Sequence, residues 1–159
     1  MADTPCASAQ ARQFDFWLGD WDLSWPADQA GGEAGETMTG TNRLTRLFGD
    51  CVIEENFYTS DGSYLGRSLS VYDGDAGIWR QTWVDSQGAY LVFTGGMEGD
   101  EMILSTAPVA DGDQVVINRM VFSDITPASL YWGWQRTTDS GQTWTDRWTI
   151  TYHRTPSRT

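Results

Sequence analysis

From Asp20 to Arg154 the chain repeats one pattern. Short runs rich in β-branched and aromatic residues are broken at close intervals by turn residues. The breaks read SDGS from Ser60, DGDAG from Asp73, DSQG from Asp85, EGDE from Glu98, ADGD from Ala110 and TDSGQ from Thr138. Glycine supplies positive φ in such turns, and Asp or Asn bonds to the nearby backbone. The runs between them predict strands at 20–26, 35–47, 51–59, 64–73, 77–85, 88–97, 101–109, 113–123, 128–138 and 143–154. Many short strands joined by hairpin turns indicate an all-β meander. Closure into a barrel is expected, since a long open meander would expose two edges. The predicted fold is an antiparallel up-and-down β-barrel of about ten strands.

The N-terminal segment FDFWLGDWDLSW, Phe14 to Trp25, breaks the pattern. Phe14, Trp17, Leu18 and Trp21 fall at helical offsets, whereas Trp21, Leu23 and Trp25 alternate as in a strand. A short helical turn that ends at Gly19 and leads into the first strand fits both spacings. Lying across one open end, it would plug the barrel with rings. The predicted layout is a tail at 1–11, one barrel domain at 12–155 and a tail at 156–159. The Gly-rich DQAGGEAGE at Asp28–Glu36 reads as flexible, because it has little to bury.

The 159 residues fit one domain with a sizeable core. Nine Trp call for a core or cavity wall built of rings. The net charge of −12 and the absence of lysine argue against nucleic acid and against an anionic membrane surface. They also exclude a lysine Schiff base and a phosphate-loop lysine. No metal is expected, since the only His is His153 and the two Cys, Cys6 and Cys51, have no metal spacing. With Cys6 in a predicted tail, no structural disulfide is expected. The start MADTPCASAQAR has neither a basic n-region nor an apolar run, and the chain reads as cytoplasmic.

Strand parity nominates the interior charges. Glu55 alternates with Cys51, Ile53 and Phe57; Arg67 with Leu65, Leu69 and Val71; Arg119 with Val115, Ile117 and Val121. If those faces point inward, Glu55 pairs with Arg67 across a hairpin, since a buried charge needs a partner. Arg119 is then left for a ligand carboxylate, which its planar fork suits. Gln81 and Trp83 share a face that is expected to point inward. Trp132, Trp134, Trp148 and Tyr152 are expected to line one wall from neighbouring strands. His153 falls on the opposite parity and is expected at an exposed edge.

Several segments together resemble the bacterial DUF1579 family, small proteins of unknown function. They are FDFWLGDWDLSW, WRQTWVDSQGAYLVFTGG, RMVFSDITPASLYWGW and DSGQTWTDRWTITYHR, in that order, over most of Phe14 to Arg154. The resemblance implies a calycin-like β-barrel, the architecture of lipocalins and fatty-acid-binding proteins. Where family members often carry an acidic residue after YWGW, this chain has Gln135 and Arg136.

The expected function is binding of a small hydrophobic or aromatic molecule, with an anionic end as an option, by Arg67, Gln81, Trp83, Arg119, Trp132, Trp134, Trp148 and Tyr152. One alternative is a cofactor-independent isomerase, cyclase or lyase that uses Glu55 and Arg119. Another is a filled barrel that acts as an interaction module. On any of these readings the protein is expected to be a monomer or homodimer. Haem is the weakest option, with Tyr, Met or Cys left as axial ligand. No cofactor is expected.

Overall fold

The computed structural model describes residues 6–156. Eleven strands follow one another: β1 (Gly19–Pro26), β2 (Thr37–Leu47), β3 (Val52–Thr59), β4 (Leu65–Asp73), β5 (Ile78–Asp85), β6 (Tyr90–Glu98), β7 (Glu101–Ser105), β8 (Val109–Asp111), β9 (Gln114–Ser123), β10 (Ser129–Thr137) and β11 (Thr145–Arg154). Each pairs antiparallel with its neighbours from β11 through β1 to β7 and β9, and β10 joins β9 to β11 to close the ring. Ten strands form the barrel, as the turn spacing predicts. The short β8 pairs only with β9 at its edge. The run expected at 101–109 splits into β7 and β8 at Thr106–Pro108, where Pro108 has no N–H to give to a ladder.

The N-terminal segment seals one end. Two 3-10 turns, Gln10–Arg12 and Asp15–Trp17, precede β1. Phe14 and Trp17 are fully buried. Phe14 stacks on Trp17 with centroids 4.9 Å apart and meets Trp79 and Phe122 edge-on at 5.2 and 5.1 Å. Gly19 takes φ +111° where the turn becomes strand, and a Cβ there would lie 2.5 Å from Arg154 Nη1. That space lets Arg154 donate to the Leu18 and Phe16 carbonyls and lie over the Trp21 ring at 4.1 Å.

Three further ties hold the plug to the end of β2 and the turn that follows it. Arg46 pairs with Asp15, Arg12 lies 3.6 Å from Asp50, and Cys6 is disulfide-bonded to Cys51. The bridge corrects the expectation of no structural disulfide. Residues 6–12 are drawn against the barrel by the bridge and by buried Ala11, which composition does not reveal. The rest of the predicted N-terminal tail, residues 1–5, and residues 157–159 lie outside the described residues. The Gly-rich segment also carries structure. A 3-10 turn at Ala27–Ala30 buries Ala27, and Gln29 accepts from the Thr149 backbone N–H at 2.8 Å.

Along the ten barrel strands, alternate side chains enter one core of aromatic and aliphatic residues. The outer face of β4 to β6 carries a stripe of exposed apolar residues, among them Leu65, Leu69, Val84, Tyr90 and Val92. Among the described residues, no helix is long and apolar enough to cross a membrane.

The bridge closes a loop with a sequence separation of 45 residues, so its loss frees the unfolded chain. Urea unfolding of Cys6→Ser is expected to show a loss of about 2–4 kcal/mol relative to the oxidised protein. A midpoint equal to that of the oxidised wild type would contradict the tie.

Candidate functional site

The barrel is not filled. Between the plug and the opposite mouth lies a cavity of about 180 Å³. Its inner part is buried: Trp17, Glu55, Phe57, Phe93, Met120, Ile150 and Tyr152. Its outer part is formed by half-buried Tyr64, Trp83, Asp85, Leu91, Trp132, Trp134 and Trp148. The exposure therefore rises from the plugged end to the mouth, and the void is a blind pocket.

The mouth is a box of rings. Trp148 stands at 87° to both Trp132 and Phe57, with centroids 5.6 and 5.8 Å away, and at 70° to Tyr64. Trp132 and Trp134 lie nearly parallel, 7° apart in plane. Tyr64 and Trp83 form a further side, 31° apart in plane. Gly66 on β4 makes the Trp83 position possible, since a Cβ there would sit 2.1 Å from the indole ring.

Glu55 projects from mid-β3 and is 6% exposed. Asn42 on β2 donates to its Oε2 at 2.6 Å, and Ser68 on β4 donates to its Oε1 at 2.8 Å. The same Asn42 amide donates to the Tyr152 hydroxyl at 3.1 Å. Among the described residues no cation pairs with Glu55. Burial pushes its pKa from 4.5 up to about 7, against the two hydrogen bonds that favour the charged form. Burial, together with the Glu55 charge, pushes the Tyr152 phenol up as well.

A second carboxyl guards the mouth. Asp85 ends β5 and accepts from the Tyr64 hydroxyl at 2.7 Å and from Trp83 Nε1 at 3.0 Å. It also accepts from the backbone N–H groups of Gln87 and Ala89. Partial burial acts to raise its pKa, but these donors outweigh it and hold the carboxyl below its ordinary value.

Trp83, Trp132, Trp134, Trp148 and Tyr152 all line the cavity. Gln81 faces inward too, but its amide donates to Ser70 at 2.9 Å and it stands outside the lining. The two arginines do not face the interior. Arg67 is exposed on the outer face of β4 with Leu65, Leu69 and Val71, while Gly66, Ser68 and Ser70 point inward. Small residues occupy that inner face because Trp83, Glu55 and Gln81 fill the space before it. Hydrophobic parity therefore indicated the wrong face. Arg119 is likewise outside, packed over Trp144 at 3.8 Å and donating to Gln135 at 2.8 Å. On β9 the inward residues are Met120 and Phe122; apolar residues stand at both parities, so the set with Val115, Ile117 and Val121 did not mark the inner face.

The expected Glu55–Arg67 pair and the Arg119 anchor for an anion are thus absent. Sequence reasoning missed Asn42, Ser68 and Tyr64, and it left Asp85 out of the binding set although Asp85 shares the parity of Gln81 and Trp83. The signal for Ser68 was present, since β3 and β4 pair Glu55 with Ser68 directly. His153 is exposed, as parity predicts. Among the described residues, no group of three or more His, Cys, Asp or Glu side chains is gathered as for a metal ion. No family model matches the chain, and no curated protein matches it.

The Glu55 environment predicts a pH signature. Between about 4.5 and 7 the unfolded chain gives up this proton while the folded protein keeps it, so the Glu55 contribution to stability falls as pH rises through that window and is level above it. Glu55→Gln removes the effect. The stability of Glu55→Gln relative to wild type is expected to rise by roughly 3 kcal/mol from pH 4.5 to 7.5 in urea titrations. A difference that does not change with pH would contradict the burial of an unpaired carboxyl.

Proposed function

We propose that this barrel binds a small apolar or aromatic molecule in the blind cavity, with its rings as walls and Glu55 as the polar point on the floor. The observation that carries the reading is the void itself. A close-packed interior leaves few gaps of this size, and an apolar cavity of about 150 Å³ is large enough for benzene. Apolar walls with a few convergent polar groups are the general form of a ligand site. The cavity counts against a filled barrel that acts only through its surface.

The resemblance to DUF1579 and to calycin barrels supports a binding role by fold analogy alone. The Cys6–Cys51 bridge supports a setting that keeps a cystine oxidised, and weighs against the cytoplasmic setting expected from sequence.

A second reading has its own support. A carboxyl poised near neutral pH inside a cavity is suited to proton transfer, so Glu55 would act as general acid or base in a cofactor-independent isomerisation or elimination. No arginine shares the cavity with it, so Arg119 has no part in that chemistry.

Titration of the intrinsic Trp fluorescence with single-ring aromatic compounds is expected to saturate. Trp148→Ala, which removes one wall of the box, is expected to weaken that binding about tenfold with the far-UV spectrum unchanged. Absence of saturable quenching across the panel would sink the binding reading. Binding that persists in Glu55→Gln while turnover stops would favour the second one.

A further inference from the structure

We propose that the ligand of this cavity is a small organic cation, an alkyl- or arylammonium compound of about one ring in size. The proposal rests on the binding reading above and names the chemistry of its ligand.

The walls are the first support. Trp83, Trp132, Trp148, Tyr64 and Phe57 line the cavity; Phe57 stands at 66° to Trp83, and Trp148 at 87° to Phe57 and Trp132 and at 70° to Tyr64. Aromatic faces carry negative quadrupole charge, and a cation held among several of them gains most where water is excluded. A neutral hydrocarbon would be served equally well by Leu and Ile, which here are a minority of the lining.

The charges are the second support. Two carboxyls line the cavity, Glu55 at the floor and Asp85 at the mouth, and no arginine does. The arginines on the barrel wall that would favour an anion are committed elsewhere. Arg119 lies outside over Trp144, Arg46 pairs with Asp15 at the plug, and Arg154 holds the Leu18 and Phe16 carbonyls. Arg67 stands in solvent on the outer face. Around Glu55, the facing groups are Asn42 on β2, Ser68 on β4 and Tyr152 on β11, all neutral. The carboxyl is buried without a counter-ion, and a bound ammonium would supply one. The chain as a whole carries −12, which draws cations toward the mouth.

The test compares three probes of similar shape at pH 8 by fluorescence titration: benzyltrimethylammonium, its uncharged isostere neopentylbenzene, and the anion phenylacetate. The cation is expected to bind at least about tenfold more tightly than the isostere, with phenylacetate weakest. In the double variant Glu55→Gln, Asp85→Asn, shown folded by circular dichroism, the ratio of cation to isostere is expected to fall by about tenfold. An isostere or anion that binds as tightly as the cation would overturn the charge inference and leave the binding reading standing. A preference unchanged in the double variant would overturn the roles of the two carboxyls. Failure of all three probes to bind would overturn both readings together.

Discussion

Ring packing at one end of the barrel is the constraint on which the rest depends. Phe14 and Trp17 enter between Phe122 on β9 and Trp79 on β5, strands that do not neighbour each other in the sheet. Each such ring pair is worth about 1 kcal/mol beyond its buried area, and the buried area itself is large. The plug therefore ties together strands that the hydrogen-bond ladder leaves apart. It also makes the interior blind. At the other end, the half-buried Tyr64, Trp83 and the tryptophans of the mouth are the cavity residues that reach solvent. The disulfide and the Arg46–Asp15 pair fix the plug from outside, so its position does not rest on the rings alone.

The chemistry of the interior follows from that seal. With one end closed, Glu55 loses most of its solvent. Hydrogen bonds from Asn42 and Ser68 replace part of the lost hydration, and no positive charge replaces the rest. A carboxyl in that position titrates near neutrality because its charged form is the costly one. Asp85, at the open end and held by four donors, stays ionised. Two carboxyls of one barrel are thus set apart by distance from the plug. That separation gives the cavity a polar floor and an anionic mouth lined by rings.

Most of the architecture was legible in the sequence. The DG and GD turns marked the hairpins to within about two residues, and the change from helical to alternating spacing around Gly19 located the plug. Trp132, Trp134, Trp148 and Tyr152 could be placed on one wall because β10 and β11 are neighbours and each alternates cleanly. The arginines could not be placed. In LGRSLSV the apolar set is Leu65, Leu69 and Val71, yet it faces solvent, since the inner surface there has room only for Gly66, Ser68 and Ser70. Parity follows the space left by facing side chains, and that space belongs to the tertiary structure. The disulfide was hidden for a similar reason. Cys6 and Cys51 are distant in sequence, and only the docking of the plug brings them together.

The most direct measurement is a crystal structure of the protein soaked in benzene. The account predicts one ring-sized feature of density inside the barrel, bordered by Phe57, Trp132 and Trp148, with Glu55 still bonded to Asn42 and Ser68. A barrel whose Trp side chains close over the void, with no density between them and Glu55, would contradict it.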